Sequence, residues 1–219
     1  TATTDIYTLT IHYALPISDE SAILELIKNS YDANSEYVKL MFEEDKLTII
    51  DDGQGMSSED IKLHWMHVGK SSKGYSTFDR NNETRVLSGS KGIGRFALSR
   101  LGSKVSLYSK KDNYKCVKWT TDWNNSNLDE LEDNIQNGTT IIIELLRAKW
   151  TKRKVESLIN FLSKTYNDNK MSIEITHQDI SKKIESFFPN PKMGINYLSC
   201  IKINYDSMKM ELTTTIESD

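Results

Sequence analysis

Cysteine is scarce in this chain: Cys116 and Cys200 are the two among 219 residues. Two cysteines make neither a disulfide framework nor a metal knuckle, and a reducing, cytoplasmic setting is the expectation. Proline is rarer than usual, with Pro16, Pro189 and Pro191 alone, so no proline-rich linker divides the chain. No apolar run approaches the ~18 residues that a membrane-spanning helix needs. Thr1 to Asp5 lacks the basic and apolar regions of a signal peptide. An excess of positive charge is also missing. Lys plus Arg is 28 and Asp plus Glu is 31, a net charge of -3. That excludes a globally basic nucleic-acid coat but leaves room for a local basic patch. There is no internal repeat. The chain begins at Thr1 and ends in TTTIESD with no closing element, so it reads as a piece of a longer protein.

What is present suits a soluble globular protein, with 37% apolar and 27% charged residues in 25.1 kDa. Glycine is unevenly spread. Gly53, Gly55, Gly69, Gly74, Gly89, Gly92, Gly94 and Gly102 fall within fifty residues, where backbone must turn sharply or approach a ligand. Periodicity predicts a helix over 19–33 with Ser18 or Asp19 as N-cap, and strands at 37–42 and 46–51. A helix follows from about Ser58 to His67, capped by Ser57 or Ser58. Residues 69–88 are polar and aperiodic and read as a long loop of the kind that forms lids. A helix is expected at 93–101, stopped by Gly102, then strands at 104–109, 115–121 and 139–145. A helix at 150–165 and a strand at 171–176 complete the legible part; the tail beyond Ser181 gives no clear pattern.

On a helical wheel the first helix places Ile23, Leu24, Leu26, Ile27 and Tyr31 on one broad face. Glu25, Asn29 and Asp32 gather on the opposite face. This face reads either as a solvated surface or as a chemical one. A solvated helix usually alternates Glu with Lys, whereas here two carboxylates and an amide stand beside one lysine. An Asn carbonyl suits Mg²⁺, which takes hard oxygen ligands together with phosphates. A Glu one turn earlier suits a general base.

Two glycine turns follow. In Asp51-Asp52-Gly53-Gln54-Gly55-Met56 a carboxylate at a strand end can accept a hydrogen bond from an exocyclic amine, and the glycines let the turn lie against a flat ring. An ordinary Asp-Gly turn has the same letters. Ser88-Gly89-Ser90-Lys91-Gly92-Ile93-Gly94-Arg95-Phe96 leads straight into a helix. Amides before a helix N-terminus form an anion nest, and Lys91 and Arg95 add formal charge. The segment has neither the dinucleotide-fold spacing nor the closing Lys-Ser/Thr of a P-loop. His64 and His67 read as surface or packing residues.

In order, E-x-x-x-N-S-x-D-A, D-x-G-x-G-M, a long loop, G-x-x-G-I-G-R-F-A and a strand opening with G-T resemble the GHKL ATPases over about residues 15–145. These are gyrase B, the ninety-kilodalton heat-shock chaperones, histidine kinases and MutL. The box GSKGIGRFALSRLG resembles bacterial heat-shock-like ATP-binding proteins more than gyrase or MutL, and by fold-level analogy some such relatives are linked to genome maintenance or defence. The resemblance implies the Bergerat fold, an α/β (α+β two-layer) sandwich whose mixed sheet is backed by helices, with ATP under a lid. It implies a strap at 1–18, an ATP-binding domain at 19–146 with its lid at about 69–91, and an extension or following domain at 147–219.

The resemblance also implies roles. Glu25 stands at the general base, Asn29 at the Mg²⁺ ligand, and Asp32 at an acidic position near the nucleotide. Asp51 stands at the adenine-binding carboxylate, with Gly53, Gly55 and Met56 along the base and sugar. Ser71, Ser72 and Lys73, with Lys70, are candidates near the phosphates. Gly89, Lys91, Gly92, Ile93, Gly94, Arg95 and Phe96 form the phosphate box, and Thr139 supports the adenine. The implied cofactors are ATP and Mg²⁺. The implied partners are ATP or ADP and a nucleotide-dependent second copy, with nucleic acid or a client reached through other domains and no membrane. Lys149, Lys152, Arg153 and Lys154 form a basic cluster that reads as a charged helix face. Two alternatives stay open: a nucleotide-sensing module with little hydrolysis, and a histidine-kinase catalytic domain, which Asp32-Ala33 disfavours.

Overall fold

A computed structural model describes residues 17–65, 76–78, 84–86, 94–132, 136–166, 170–178, 180–185, 197–206 and 209–218. Helix α1 (Asp19–Asp32) starts at Ser18, whose hydroxyl accepts the Ser21 N–H, and Asp19 and Glu20 complement the positive end of the helix. Its buried stripe is Ala22, Ile23, Leu26, Ile27 and Ser30. Burying each large aliphatic side chain of that stripe is worth about 1.5–3 kcal/mol. The chain leaves the helix through Ala33 and Asn34, the latter at φ 60. It then enters a hairpin of β1 (Tyr37–Phe42) and β2 (Lys46–Asp51).

A short helix, α2 (Ser58–Asp60), widens into a π-helical turn at Ile61–Trp65. Ser57 is the cap, in a reciprocal capping box with Asp60. The expected α-helix to His67 is therefore a turn and a π segment, with residues 66 and 67 outside the described residues. The segment read as an aperiodic loop contains two short strands, β3 (Ser76–Phe78) and β4 (Thr84–Val86), paired antiparallel. Helix α3 (Gly94–Leu101) runs without a gap into β5 (Gly102–Lys110). Gly102 is the first residue of β5 and packs closely there: a Cβ would lie 2.4 Å from a methyl of Ile143.

Strands β6 (Cys116–Thr121), β7 (Ser126–Leu131) and β8 (Gly138–Leu146) follow, then helix α4 (Lys152–Thr165), β9 (Ser172–His177) and β10 (Ile180–Lys183). One eight-stranded sheet results, ordered β10-β9-β1-β2-β8-β5-β6-β7. The β1–β9 pair is parallel and the other neighbours are antiparallel, so the sheet is mixed. Strands such as β1 and β5 alternate buried with half-buried residues. Helix α1 touches both α3 and α4, which places the three in one layer over the sheet. The α/β sandwich expected from the sequence is the observed architecture. Residues 152–183, assigned by sequence to an extension after 146, supply β9 and β10 to this sheet and α4 to the helical layer, and the compact unit runs Thr1–Ser186. None of the helices among the described residues is long and apolar enough to cross a membrane.

The sequence reading gave no strand at β7 or β10. Both are edge strands with largely exposed side chains, so pairing orders them with little apolar signal. The unit Phe187–Asp219 contains, by itself, the antiparallel pair β11 (Tyr197–Asp206) and β12 (Lys209–Ser218).

Candidate functional site

The end of β2 organises the site. Asp51 pairs in register with Thr139 of β8, and its side chain is buried. Its Oδ2 accepts the Ser30 hydroxyl of α1 at 2.8 Å, and its Oδ1 accepts the Gly53 N–H at 3.0 Å. Among the described residues no lysine or arginine contributes. Burial pushes the Asp51 carboxyl above the ordinary carboxylate range, and the charge of Asp52 adds to this. The hydrogen bonds from Gly53, Ser30 and the Thr139 backbone act against it without cancelling it. A buried carboxylate held by two hydroxyl and amide donors keeps acceptor capacity for a ligand N–H.

Its sequence neighbour does different work. Asp52 Oδ1 accepts the Ser35 hydroxyl at 2.7 Å and the N–H groups of Glu36 and Tyr37 at 2.9 and 3.0 Å. Asp52 thereby fastens the loop between α1 and β1, while Asp51 stays with the glycine turn.

That turn packs too tightly for side chains. A Cβ on Gly53 would come within 2.8 Å of the Ala33 Cβ, and the next N–H, of Gln54, donates to the Ala33 carbonyl at 2.8 Å. Gly55 has φ +67, and a Cβ there would sit 2.0 Å from the Lys110 carbonyl oxygen. Met56 is half-buried, and its N–H donates to the Ser109 hydroxyl at 2.9 Å. Ser109, fully buried on β5, also lies 2.9 Å from the Thr139 hydroxyl and donates to the Gly138 carbonyl at 3.2 Å. The turn after β2, strand β5 and the start of β8 are thus joined through one hydroxyl.

Ser30 and Ser109 carry this network, and sequence reasoning assigned neither a role. The signal was present. Ser30 continues the buried stripe of Ile23, Leu26 and Ile27, and Ser109 continues the inward alternation of Val105 and Leu107. A serine at an apolar periodic position has to find a partner inside.

One to two turns before Asp32 on α1, Glu25 and Asn29 are half-buried. Glu25 Oε1 accepts from Lys28 Nζ at 2.9 Å. Asp32 differs from these two in being buried, although the wheel groups all three. Among the described residues no three His, Cys, Asp or Glu side chains converge as a metal cage. Asn29 presents a half-buried side-chain carbonyl, a hard oxygen of the kind that Mg²⁺ takes together with phosphates and water. Of the expected phosphate box, Gly94, Arg95 and Phe96 open α3, with Phe96 half-buried. Gly89, Lys91, Gly92 and Ile93 lie outside the described residues, as do Lys70, Ser71, Ser72 and Lys73.

A mixed sheet backed by helices, with a buried strand-end carboxylate over a glycine turn, defines an α/β sandwich of the GHKL class. The family model for histidine kinase-, DNA gyrase B- and HSP90-like ATPases matches residues 17–165, and the chain belongs to that family. Domains of this family bind ATP, and at that level the chain carries an ATPase domain. It is also similar to a protein of Herpetosiphon aurantiacus, "Putative type II restriction enzyme HgiDII", at 32% identity over 89 residues. That match takes in 41% of this chain and spans 14% of that protein's length.

Proposed function

We propose that this domain binds Mg-ATP and hydrolyses it to change the conformation or pairing of a larger protein that acts on DNA. The observation that carries the nucleotide assignment is the buried Asp51 carboxylate, fixed by Ser30 and Gly53, its pKa raised by burial with no cation beside it among the described residues. In this reading Asp51 accepts the adenine amino group, and Gly53 and Gly55 let the turn lie against the base. Asn29 offers its side-chain carbonyl to Mg²⁺, whose charge offsets that of the phosphates. Glu25 takes a proton from the attacking water, exchanging its ion pair with Lys28 for that contact. Gly89, Lys91, Gly92, Ile93 and the start of α3 receive the phosphates. Residues 69–91 close over the nucleotide, and the strap at 1–18 takes part in nucleotide-dependent pairing of two copies. The DNA-directed setting is supported by the restriction-enzyme relative.

Glu25→Ala tests the division of labour. Loss of a general base costs about 10²–10⁴ in turnover, while ground-state binding stays near wild type. Phosphate release and calorimetric binding of a non-hydrolysable ATP analogue, measured side by side, read the two effects. Unchanged turnover with Glu25→Ala, in a protein that hydrolyses ATP, overturns the base assignment. A nucleotide-sensing role is the second reading. It is favoured by the Glu25–Lys28 pair, which occupies the carboxylate, and tight binding with no measurable turnover of wild type would select it.

A further inference from the structure

At the end of the sheet away from Asp51, cations from three segments converge. Thr139 lies opposite Asp51, and β8 then runs seven residues to Leu146, about 23 Å at the usual strand rise. There the Arg147 N–H donates to the Leu101 carbonyl at 2.9 Å and its Nε to the Ser99 carbonyl at 2.7 Å, joining this segment to the end of α3. Arg100 Nε bonds Asp19 at 3.0 Å, and Lys154 bonds the same carboxylate from α4 while lying over the Trp150 ring. Lys149, Lys152 and Arg153 are exposed beside them.

Three features make this more than a solvated charged face. Arg100 and Arg147 are each anchored through Nε, and both side chains are otherwise outward, so their guanidinium groups are oriented before any ligand arrives. The first turn of α4 carries Lys152, Arg153 and Lys154 and no acid, at the end of the helix where the dipole disfavours cations. The acid inside the cluster, Asp19, is buried and already bonded to two of its cations. Glu20 follows Asp19 and Glu156 lies one turn after Lys152 in the chain; Asp45 accepts the Leu146 N–H, and Glu43, Glu44 and Glu144 line the same end of the sheet with it. Arg100, Arg147, Lys149, Lys152, Arg153 and Lys154, six of the 28 Lys and Arg residues, thus form a local cationic patch at this pole in a chain of net charge -3.

We infer that this pole docks the phosphate backbone of duplex DNA, with Arg147, Lys149, Lys152 and Arg153 as the principal contacts. The choice of duplex DNA rests on the proposed DNA-directed setting, whereas the surface itself rests on charge and geometry. The contact is independent of base sequence, as for any protein that reads phosphates alone.

The test is anisotropy of a fluorescent random-sequence duplex, titrated with the whole chain at several salt concentrations. Four principal contacts give a log–log salt slope of roughly -3 to -4, from about -0.9 per neutralised phosphate. Lys149→Glu, Lys152→Glu and Arg153→Glu together should weaken binding at least about tenfold and flatten the slope. The corresponding Gln triple variant should lose less. Lys182→Glu with Lys183→Glu, on the β10 edge, should stay within about twofold of wild type. ADP titration of each variant reports folding, and its failure in wild type would sink the nucleotide reading without touching this one. The inference is overturned if wild type does not bind the duplex at low salt. It is also overturned if the triple reversal binds as wild type does, or if the β10 reversal loses as much.

Discussion

Asp19 and Asp51 are buried alike, at 8% and 9% exposure, yet they are solvated by opposite means. Asp19, at the start of α1, sits between Arg100 and Lys154 and spends both oxygens on cations. Asp51, at the other end of the sheet, has hydroxyl and amide donors only among the described residues, and burial raises its pKa. Charge pairing satisfies a carboxylate and welds helices α1, α3 and α4 together. Neutral donors leave a carboxylate energetically unsettled and able to gain from a further N–H. Equal burial therefore separates a structural aspartate from a binding one only when the partners are read.

The comparison breaks most visibly under isosteric substitution. Asp51→Asn removes a charge-assisted acceptor worth about 1.5–3 kcal/mol, so ADP affinity should fall roughly ten- to hundredfold. The nucleotide-free fold should be no less stable than wild type, because an uncharged amide avoids the burial penalty that raises the Asp51 pKa. Asp19→Asn should do the reverse. Arg100 is half-exposed, which discounts the pair, and about 1–2 kcal/mol of stability should go, seen as a lower urea midpoint with unchanged slope. ADP affinity should stay within about twofold. A variant pair that moved both quantities together would erase the distinction.

A smaller effect sharpens it through pH. An acid whose pKa is raised in the folded state binds its proton more tightly there than in the unfolded chain. Ionised Asp51 therefore subtracts from stability above its raised pKa, and that loss is recovered as pH falls through it. A ligand that donates to the carboxylate needs the ionised form. ADP affinity should accordingly weaken as pH falls through the raised pKa, with protons released on binding. Calorimetry in buffers of different ionisation enthalpy measures that release, and Asp51→Asn should abolish it.

Much of this arrangement was legible from the sequence. The stripe of α1, the β1–β2 hairpin and the glycine turn after Asp51 follow from period, cap and turn residues, and each stands where expected. What escaped has physical reasons. Edge strands β7 and β10 are ordered by backbone pairing, which leaves little mark on polar side chains. The separate duties of Asp51 and Asp52 depend on which backbone amides lie nearby, and adjacent letters do not encode that. Ser30 and Ser109 were visible as serines in apolar registers, but their shared service to one turn appears only when α1, β5 and β8 are brought together.

The most direct test is calorimetric titration with ADP and Mg²⁺ of wild type, Asp51→Asn and Asp19→Asn. Binding by wild type and Asp19→Asn, with a ten- to hundredfold loss confined to Asp51→Asn, is the result expected from about 1.5–3 kcal/mol of lost hydrogen bonding. Equal affinity of Asp51→Asn and wild type would contradict the account, since the buried carboxylate over the glycine turn would then not be where the base is held.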